Sequence, residues 1–275
     1  MNLLIKRHYR ESPEADKSSS PQKFVTEILK PLAARFPTQT WRSRDQTLRQ
    51  QFSPPPAIAF LLSYLVNNQK NEILLEPSAG TGSLLVWSKN QIFANEIDPR
   101  RREMLRILGI SATAFNAEFI DDYLPPEIRP DCLLMNPPFS SNGGRTKNNS
   151  SKFGFQHVRS ALERLKKGGR FGIILGAEGG LDTKTGNDFW RRLADIIDVK
   201  AIIKIDGREY YKNGTTARIN LIVGEKLIEP QNIDGNQVRN KIINIAAATT
   251  EEAFDKSINL NLRLKQKSKP ICKII

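Results

Sequence analysis

Glu72-Ile73-Leu74-Leu75-Glu76-Pro77-Ser78-Ala79-Gly80-Thr81-Gly82 is the stretch whose reading decides the fold class. Its apolar run reads as a buried strand. Its two glycines allow a tight turn whose backbone can come close to a ligand, and Ser83 to Lys89 reads as the opening of a helix. Strand, glycine-rich turn and helix together open a doubly wound α/β sheet. A Walker-type loop would need a lysine after Gly82, where Ser83 and Leu84 stand, which disfavours NTP hydrolysis. A dinucleotide fingerprint would need a third glycine where Leu85 stands. The turn by itself also fits a plain structural connection.

Further along the chain, Ile92–Asn95 reads as a second strand, followed by Glu96-Ile97-Asp98. An acid about 20 residues past the glycine turn is where a ribose hydroxyl pair is held. Glu96 lies nearer the strand end and takes that role. Asp98 with Pro99 reads as N-cap and first residue of a helix over residues 100–108; the alternative has both carboxylates only capping. Residues 111–115 form a third strand, with Asn116-Ala117-Glu118-Phe119 just beyond it. Asp131-Cys132-Leu133-Leu134-Met135-Asn136 is a fourth, stopped by Pro137-Pro138-Phe139. It delivers a polar side chain, a rigid turn and an aromatic ring to the sheet edge where open α/β folds bind ligands. A helix over 155–167, a strand over 170–175, a helix over 188–197, paired strands over 199–205 and 217–223 and a last strand near 242–246 complete the pattern.

Towards the N-terminus, residues 1–20 read as a loosely held polar arm, and 23–36 as a short helix interrupted by Pro31. Between Trp41 and Phe52, Arg42, Arg44 and Arg49 interleave with aromatics. That suits a nucleic-acid surface or a solvated helix over the core. Pro54-Pro55-Pro56 then leads into an apolar, buried helix over 57–66. With no apolar run near the roughly 20 residues of a membrane span, no membrane association is expected. Cys132 and Cys272 are too few for a disulfide framework or a zinc cluster, so no metal is expected and a reducing cytoplasm is the simplest compartment. The charge is more telling: 42 basic against 29 acidic residues, net +13. Such an excess favours a polyanionic partner, most often nucleic acid. Residues 256–275 carry six cations and no acid, and Arg145, Lys147 and Lys152 follow the Asn136–Phe139 turn, again without an acid between.

Taken together, five pieces in this order resemble class I S-adenosylmethionine-dependent methyltransferases, specifically the amino-group DNA methyltransferases of the gamma type. They are Phe52-Ser53-Pro54, Glu76-Pro77-Ser78-Ala79-Gly80-Thr81-Gly82, Asn95-Glu96-Ile97-Asp98, Ala117-Glu118-Phe119 and Asn136-Pro137-Pro138-Phe139. The chain is also similar to the methyltransferase module that accompanies strawberry-notch-type helicases, although it holds no helicase motif. The resemblance implies a Rossmann-like α/β fold with a mostly parallel seven-stranded sheet and helices on both faces. It implies a catalytic domain over 51–226 between a basic N-terminal extension, 1–50, and a C-terminal extension with a basic tail, 227–275. It also implies S-adenosylmethionine as cofactor. Residues 76–82 would wrap its methionine part, with Phe52, Ser53 and Pro54 at the methionine end. Glu96 would hold its ribose, Ile97 and Phe119 would sandwich its adenine, and Glu118, in place of the usual Asp, would accept from the adenine amine. Ser53 stands where the family often has Thr.

An exocyclic amine on adenine is a weak nucleophile because its lone pair is delocalised into the ring. The Asn136 side-chain oxygen and the Pro137 carbonyl could each accept one of its N–H groups, pulling the nitrogen towards tetrahedral and aiming its lone pair at the methyl. No strong general base is needed, in keeping with a chain that has only His8 and His157. Pro137 and Pro138 offer no N–H, so the turn presents acceptors, and Phe139 would stack on a base that is flipped out or single-stranded. Asn opening and Phe closing the tetrapeptide favour adenine N6 over cytosine N4. RNA base amines and protein glutamine are alternative substrates, and a non-catalytic nucleic-acid-binding module is an alternative of another kind. About fifty residues follow the last core strand, too few for a large target-recognition domain. Arg145, Lys147 and Lys152 are the expected nucleic-acid contacts, with a helicase or restriction enzyme as candidate partner.

Overall fold

The computed structural model describes residues 1–11, 21–38, 52–88, 91–138, 152–213, 216–231 and 241–266. Among them, eight strands form one sheet: β1 (Ile73–Glu76), β2 (Gln91–Asn95), β3 (Ala112–Thr113), β4 (Cys132–Met135), β5 (Arg170–Gly176), β6 (Ile197–Ile205), β7 (Ile219–Lys226) and β8 (Ile243–Ala247). Their order is β3-β2-β1-β4-β5-β7-β6-β8. Only β7 runs antiparallel to its neighbours, β5 and β6. The sheet is therefore mostly parallel, as expected; the last strand expected near 242–246 is β8, which pairs with β6 and makes eight strands where the resemblance implied seven. The chain winds outwards in one direction from β1 to β3 and in the other from β4, so the switch point lies between β1 and β4.

Both faces of the sheet are covered, because alternate residues of each strand point to opposite sides. Leu74, Cys132, Leu134, Ile174, Ile203 and Leu221 join one buried cluster. Leu75, Leu133, Met135, Ile173, Ile202 and Ile222 join the other. On the first face lie α1 (Asn2–Glu11), α3 (Pro56–Val66), α4 (Pro99–Ile107) and α8 (Thr250–Asn259), together with α2, a continuous helical run of Pro21–Lys23, Phe24–Leu29 and Lys30–Ala34. On the second lie α5 (Ile120–Tyr123), α6 (Lys152–Arg164) and α7 (Lys184–Arg192). Ile5 from α1 and Phe254 from α8 share the first cluster with Ile58 of α3. Sequence from before residue 51 and after residue 226 thus packs into the same core as the sheet.

Several local expectations are corrected. The helix expected after the glycine turn is a series of single turns. Asn2 donates its side-chain amide to the Thr81 carbonyl, and Trp87 donates its indole N–H to the Ser83 carbonyl, taking acceptors a continuing helix would use. The arm expected over 1–20 is helical at Asn2–Glu11, because Ile5 and Tyr9, four residues apart, are buried, with the Tyr9 ring 5.6 Å from that of Trp87. Pro31 does not break α2. A π-type turn over Phe24–Leu29 precedes it, with the Lys30 N–H donating to the Val25 carbonyl, so the wider register absorbs the bond a proline cannot make. The helix expected over 188–197 is Lys184–Arg192, started by a Thr183 cap, and Ile197 already belongs to β6. The helix expected over 155–167 is Lys152–Arg164.

Candidate active site

β1, β2 and β4 end side by side at the carboxyl edge of the sheet, next to the switch point where such folds open a crevice. From β1 comes Glu76, 2% exposed, followed by the Pro77–Gly82 turn. Gly80 and Gly82 have φ of +55° and +82°, values that favour glycine. A Cβ on Gly82 would lie 2.9 Å from Leu108 and 3.0 Å from Leu105, so the turn also sits hard against the end of α4. From β2 comes Glu96. Its carboxylate accepts from the Gly80 N–H at 2.7 Å and from the Asp98 N–H at 2.8 Å, one bond per oxygen, leaving lone pairs for two hydroxyl donors. Asp98 accepts from the N–H groups of Arg100 and Arg101 and caps α4, as read from the sequence.

Asn95, which opens the Asn95–Asp98 motif, is the residue whose role sequence reasoning missed. Its amide donates to the Pro77 carbonyl at 2.9 Å and the Phe115 carbonyl at 3.0 Å, while its oxygen accepts from Thr113 and the Phe115 N–H. One buried amide thus ties the glycine turn to β2 and to the segment after β3. The available signal was a lone amide ending an apolar strand. Beyond β3, Asn116 caps a short turn over Ala117–Phe119, accepting from the Glu118 N–H and donating to the Glu118 carboxylate at 3.3 Å. Phe119 and Ile97 are apolar yet 40% and 49% exposed, as faces offered to a planar group would be.

Asn136 follows β4. Its amide nitrogen donates to the Phe52 carbonyl at 2.7 Å. Its side-chain oxygen is buried, with no hydrogen-bond partner among the described residues. The Glu76 carboxylate holds a second such atom, Oε2; burial, then the neighbouring Glu96 charge, pushes this acid well above the ordinary carboxylate range. The Phe52–Pro54 strap reaches both sides of the site. Phe52 receives Asn136, while the Ser53 hydroxyl lies 3.0 Å from that of Thr81 in the glycine turn. The strap therefore joins the expected cofactor turn to the expected catalytic asparagine. Pro54 and Pro137 are buried and Pro138 half-buried. Phe139, Arg145 and Lys147 lie outside the described residues, and Lys152 opens α6 with its side chain outside the description. His157 is buried on α6, and burial pushes its pKa down to about 4, so the ring is neutral near pH 7. Among the described residues there is no group of side chains suited to a metal ion and no helix long and apolar enough to cross a membrane.

No protein-family model matches the chain. Among solved structures it superposes on a putative class I S-adenosylmethionine-dependent methyltransferase from Listeria monocytogenes with a TM-score of 0.57 at 14% identity, over 90% of this chain and 80% of that one. The chain has the class I methyltransferase fold. Within that fold, a modification subunit of a putative type I restriction enzyme from Vibrio vulnificus gives a TM-score of 0.57 at 16% identity, covering 78% of this chain and 53% of its own. The M protein of the type I restriction enzyme EcoKI gives 0.54 at 19%, covering 66% and 45%. In sequence, 146 residues are 27% identical to the type II restriction enzyme and methyltransferase RM.BcgI of Heyndrickxia coagulans, 44% of this chain but 23% of that protein. The chain thus spans about half the length of the two subunits and about a quarter of the curated relative.

Proposed function

We propose that this protein is an S-adenosylmethionine-dependent methyltransferase of the gamma type that modifies the N6 amine of adenine in DNA. The observation that carries the reading is Asn136. Its nitrogen is committed to Phe52, and its oxygen is a buried acceptor with no partner among the described residues. A buried unsatisfied acceptor costs about 1–3 kcal/mol and calls for a donor from outside the described structure. A planar amine with two N–H groups supplies one.

The residues present fit the cofactor. The buried Glu76 oxygen suits its ammonium, the spare lone pairs of Glu96 its ribose hydroxyls, and the exposed Ile97 and Phe119 side chains its adenine. When bound, S-adenosylmethionine supplies an electrophilic methyl on a sulfonium and departs uncharged at that sulfur. Asn136 and the Pro137 carbonyl accept hydrogen bonds from the two amine N–H groups, holding the nitrogen with its lone pair outward, and the one proton lost from the methylated nitrogen passes to solvent. Phe139 stacks on the base, and Arg145, Lys147 and Lys152 contact the nucleic-acid backbone. The restriction-modification names of the relatives support DNA over RNA or protein as substrate, and a restriction subunit as partner.

The test is transfer of a radiolabelled methyl group to DNA, RNA and protein pools, with Asn136→Ala as control. The expected result is N6-methyladenine in DNA. In the variant kcat falls by roughly 10²–10³, as when one preorganised polar partner is removed from an active site, at unchanged cofactor affinity. Transfer to RNA or protein alone would overturn the substrate, and cofactor binding without transfer would favour a nucleic-acid-binding module.

A further inference from the structure

The connection between β6 and β7 contains a 3-10 helix, Gly207–Asn213, that is held from three sides. Glu209 receives the Lys30 ammonium of α2 at 3.2 Å, and both the N–H and the hydroxyl of Thr250 at the start of α8. Lys30 also reaches Glu251 at 2.5 Å, closing α2, the connection and α8 into one ionic cluster. Lys212 donates to the Ala34 carbonyl at the end of α2 at 2.9 Å. Tyr210 is fully buried, and at Gly207 a Cβ would lie 1.8 Å from the Thr216 carbonyl, so the connection is pinched shut at its base. This is a fixed post rather than a surface loop.

The post ends in Asn213, 7% exposed, whose amide donates to the Ser53 carbonyl at 3.1 Å. The carbonyl one residue earlier, that of Phe52, is the one holding the Asn136 amide at 2.7 Å. Two asparagine amides, one from the post and one from the end of β4, therefore grip consecutive carbonyls of the same strap. The Phe52 carbonyl can fix the Asn136 rotamer only if the strap itself is fixed. On its other side the strap is held through side-chain oxygens, Ser53 against Thr81. Asn213 supplies the amide donor to the Ser53 carbonyl, from outside the Asn136 strand end.

We propose that Asn213 is a positioning residue for methyl transfer: by holding the Ser53 carbonyl it sets the Phe52 carbonyl, and through it the direction of the Asn136 acceptor. This rests on the reading of Asn136 as the amine acceptor. It also gives the post's anchors in α2 and α8 a task at the site. A small misplacement of a group that aligns reacting atoms is expensive in rate while leaving ligand affinity alone.

Asn213→Asp tests this, since it keeps the shape and replaces the donor with a carboxylate oxygen facing a carbonyl. The expected result is a drop in kcat of roughly three- to tenfold, the worth of one hydrogen bond. Cofactor affinity should stay near that of the unaltered protein, while the carboxylate buried against a carbonyl lowers the melting temperature. Protonation returns a donor to the aspartate, so the deficit relative to the unaltered protein should shrink as pH is lowered. A second readout does not depend on activity: the side-chain amide resonances of Asn136, assigned by their loss in Asn136→Ala, should shift in Asn213→Asp and exchange faster with water. If Asn213→Asp fails to fold, Asn213→Ala removes the contact without adding charge and is read in the same way. Unmoved Asn136 resonances, or cofactor affinity falling in step with kcat, overturn the proposal. If the unaltered protein transfers no methyl group, the functional reading falls, and the resonances alone decide whether Asn213 positions Asn136.

Discussion

Replacing Glu76 with glutamine should stabilise the protein while weakening its hold on cofactor, a pairing that follows from where this carboxylate sits. The side chain is 2% exposed, one oxygen has no partner among the described residues, and burial together with the Glu96 charge raises its pKa. A raised folded-state value makes the sign definite. The stabilising contribution is complete below the unfolded glutamate pKa of about 4.3 and is lost as pH climbs from there to the folded value. Glutamine has nearly the same shape and no charge to desolvate. Glutamine leaves a polar atom there but no charge, and desolvating that charge costs at least about 1–3 kcal/mol, so Glu76→Gln should raise the cofactor-free melting temperature by about 2–10 °C at neutral pH. A charge-assisted hydrogen bond to an ammonium is worth about 1.5–3 kcal/mol, so cofactor affinity should fall roughly 10- to 150-fold. Calorimetric titration in two buffers of different ionisation enthalpy should also show proton release on binding by the unaltered protein and less by the variant. A lower melting temperature, or unchanged affinity, would refute the assignment of Glu76 as a buried carboxylate kept for a cationic ligand.

Further predictions concern stability. His157 has its pKa pushed down to about 4 by burial, below its unfolded value of about 6.5. Stability is therefore complete above the unfolded value and is lost as pH falls from there towards the folded one, by up to about 1.4 kcal/mol per unit; urea midpoints across that range should flatten in His157→Leu. Gly82→Ala forces a side chain onto a backbone at φ +82° and against Leu108 and Leu105, and should cost about 1–3 kcal/mol by chemical denaturation. Arg170, 2% exposed, pairs at 2.5 Å with the Glu72 carboxylate beneath the sheet. Arg170→Met leaves the buried Glu72 charge without its cation and should cost about 3–5 kcal/mol, with much of the loss recovered in the double variant with Glu72→Gln.

Much of the site was legible in the sequence because its parts are local. Glu76 to Gly82, Glu96 to Asp98 and Asn136 to Pro138 are short runs at strand ends, and the chain's own direction fixes which way a strand end points. Asp98 as cap and Glu96 as the inward carboxylate were readable for the same reason. Asn95 escaped because its work is done by hydrogen bonds to Pro77 and Phe115, 18 and 20 residues away. The helix expected after Gly82 failed because acceptors at Thr81 and Ser83 are taken by Asn2 and by the Trp87 indole, competition that local propensity does not register. The same holds for Pro31, where a π-type turn in α2 absorbs a residue that normally ends a helix.

By itself, then, the order of apolar runs, glycine turn and acidic strand end determined a mostly parallel α/β sheet with a candidate ligand site at its carboxyl edge. Those features are set by periodicity and backbone geometry over a few residues. Tertiary structure decided the place of the last strand beside β6, the packing of α1 and α8 into the common core, and the joining of Asn213, Ser53, Phe52 and Asn136 across 160 and 84 residues of chain. These depend on which surfaces remain to be covered once the sheet has formed, and on which distant donor meets a given carbonyl, so only the folded molecule contains them.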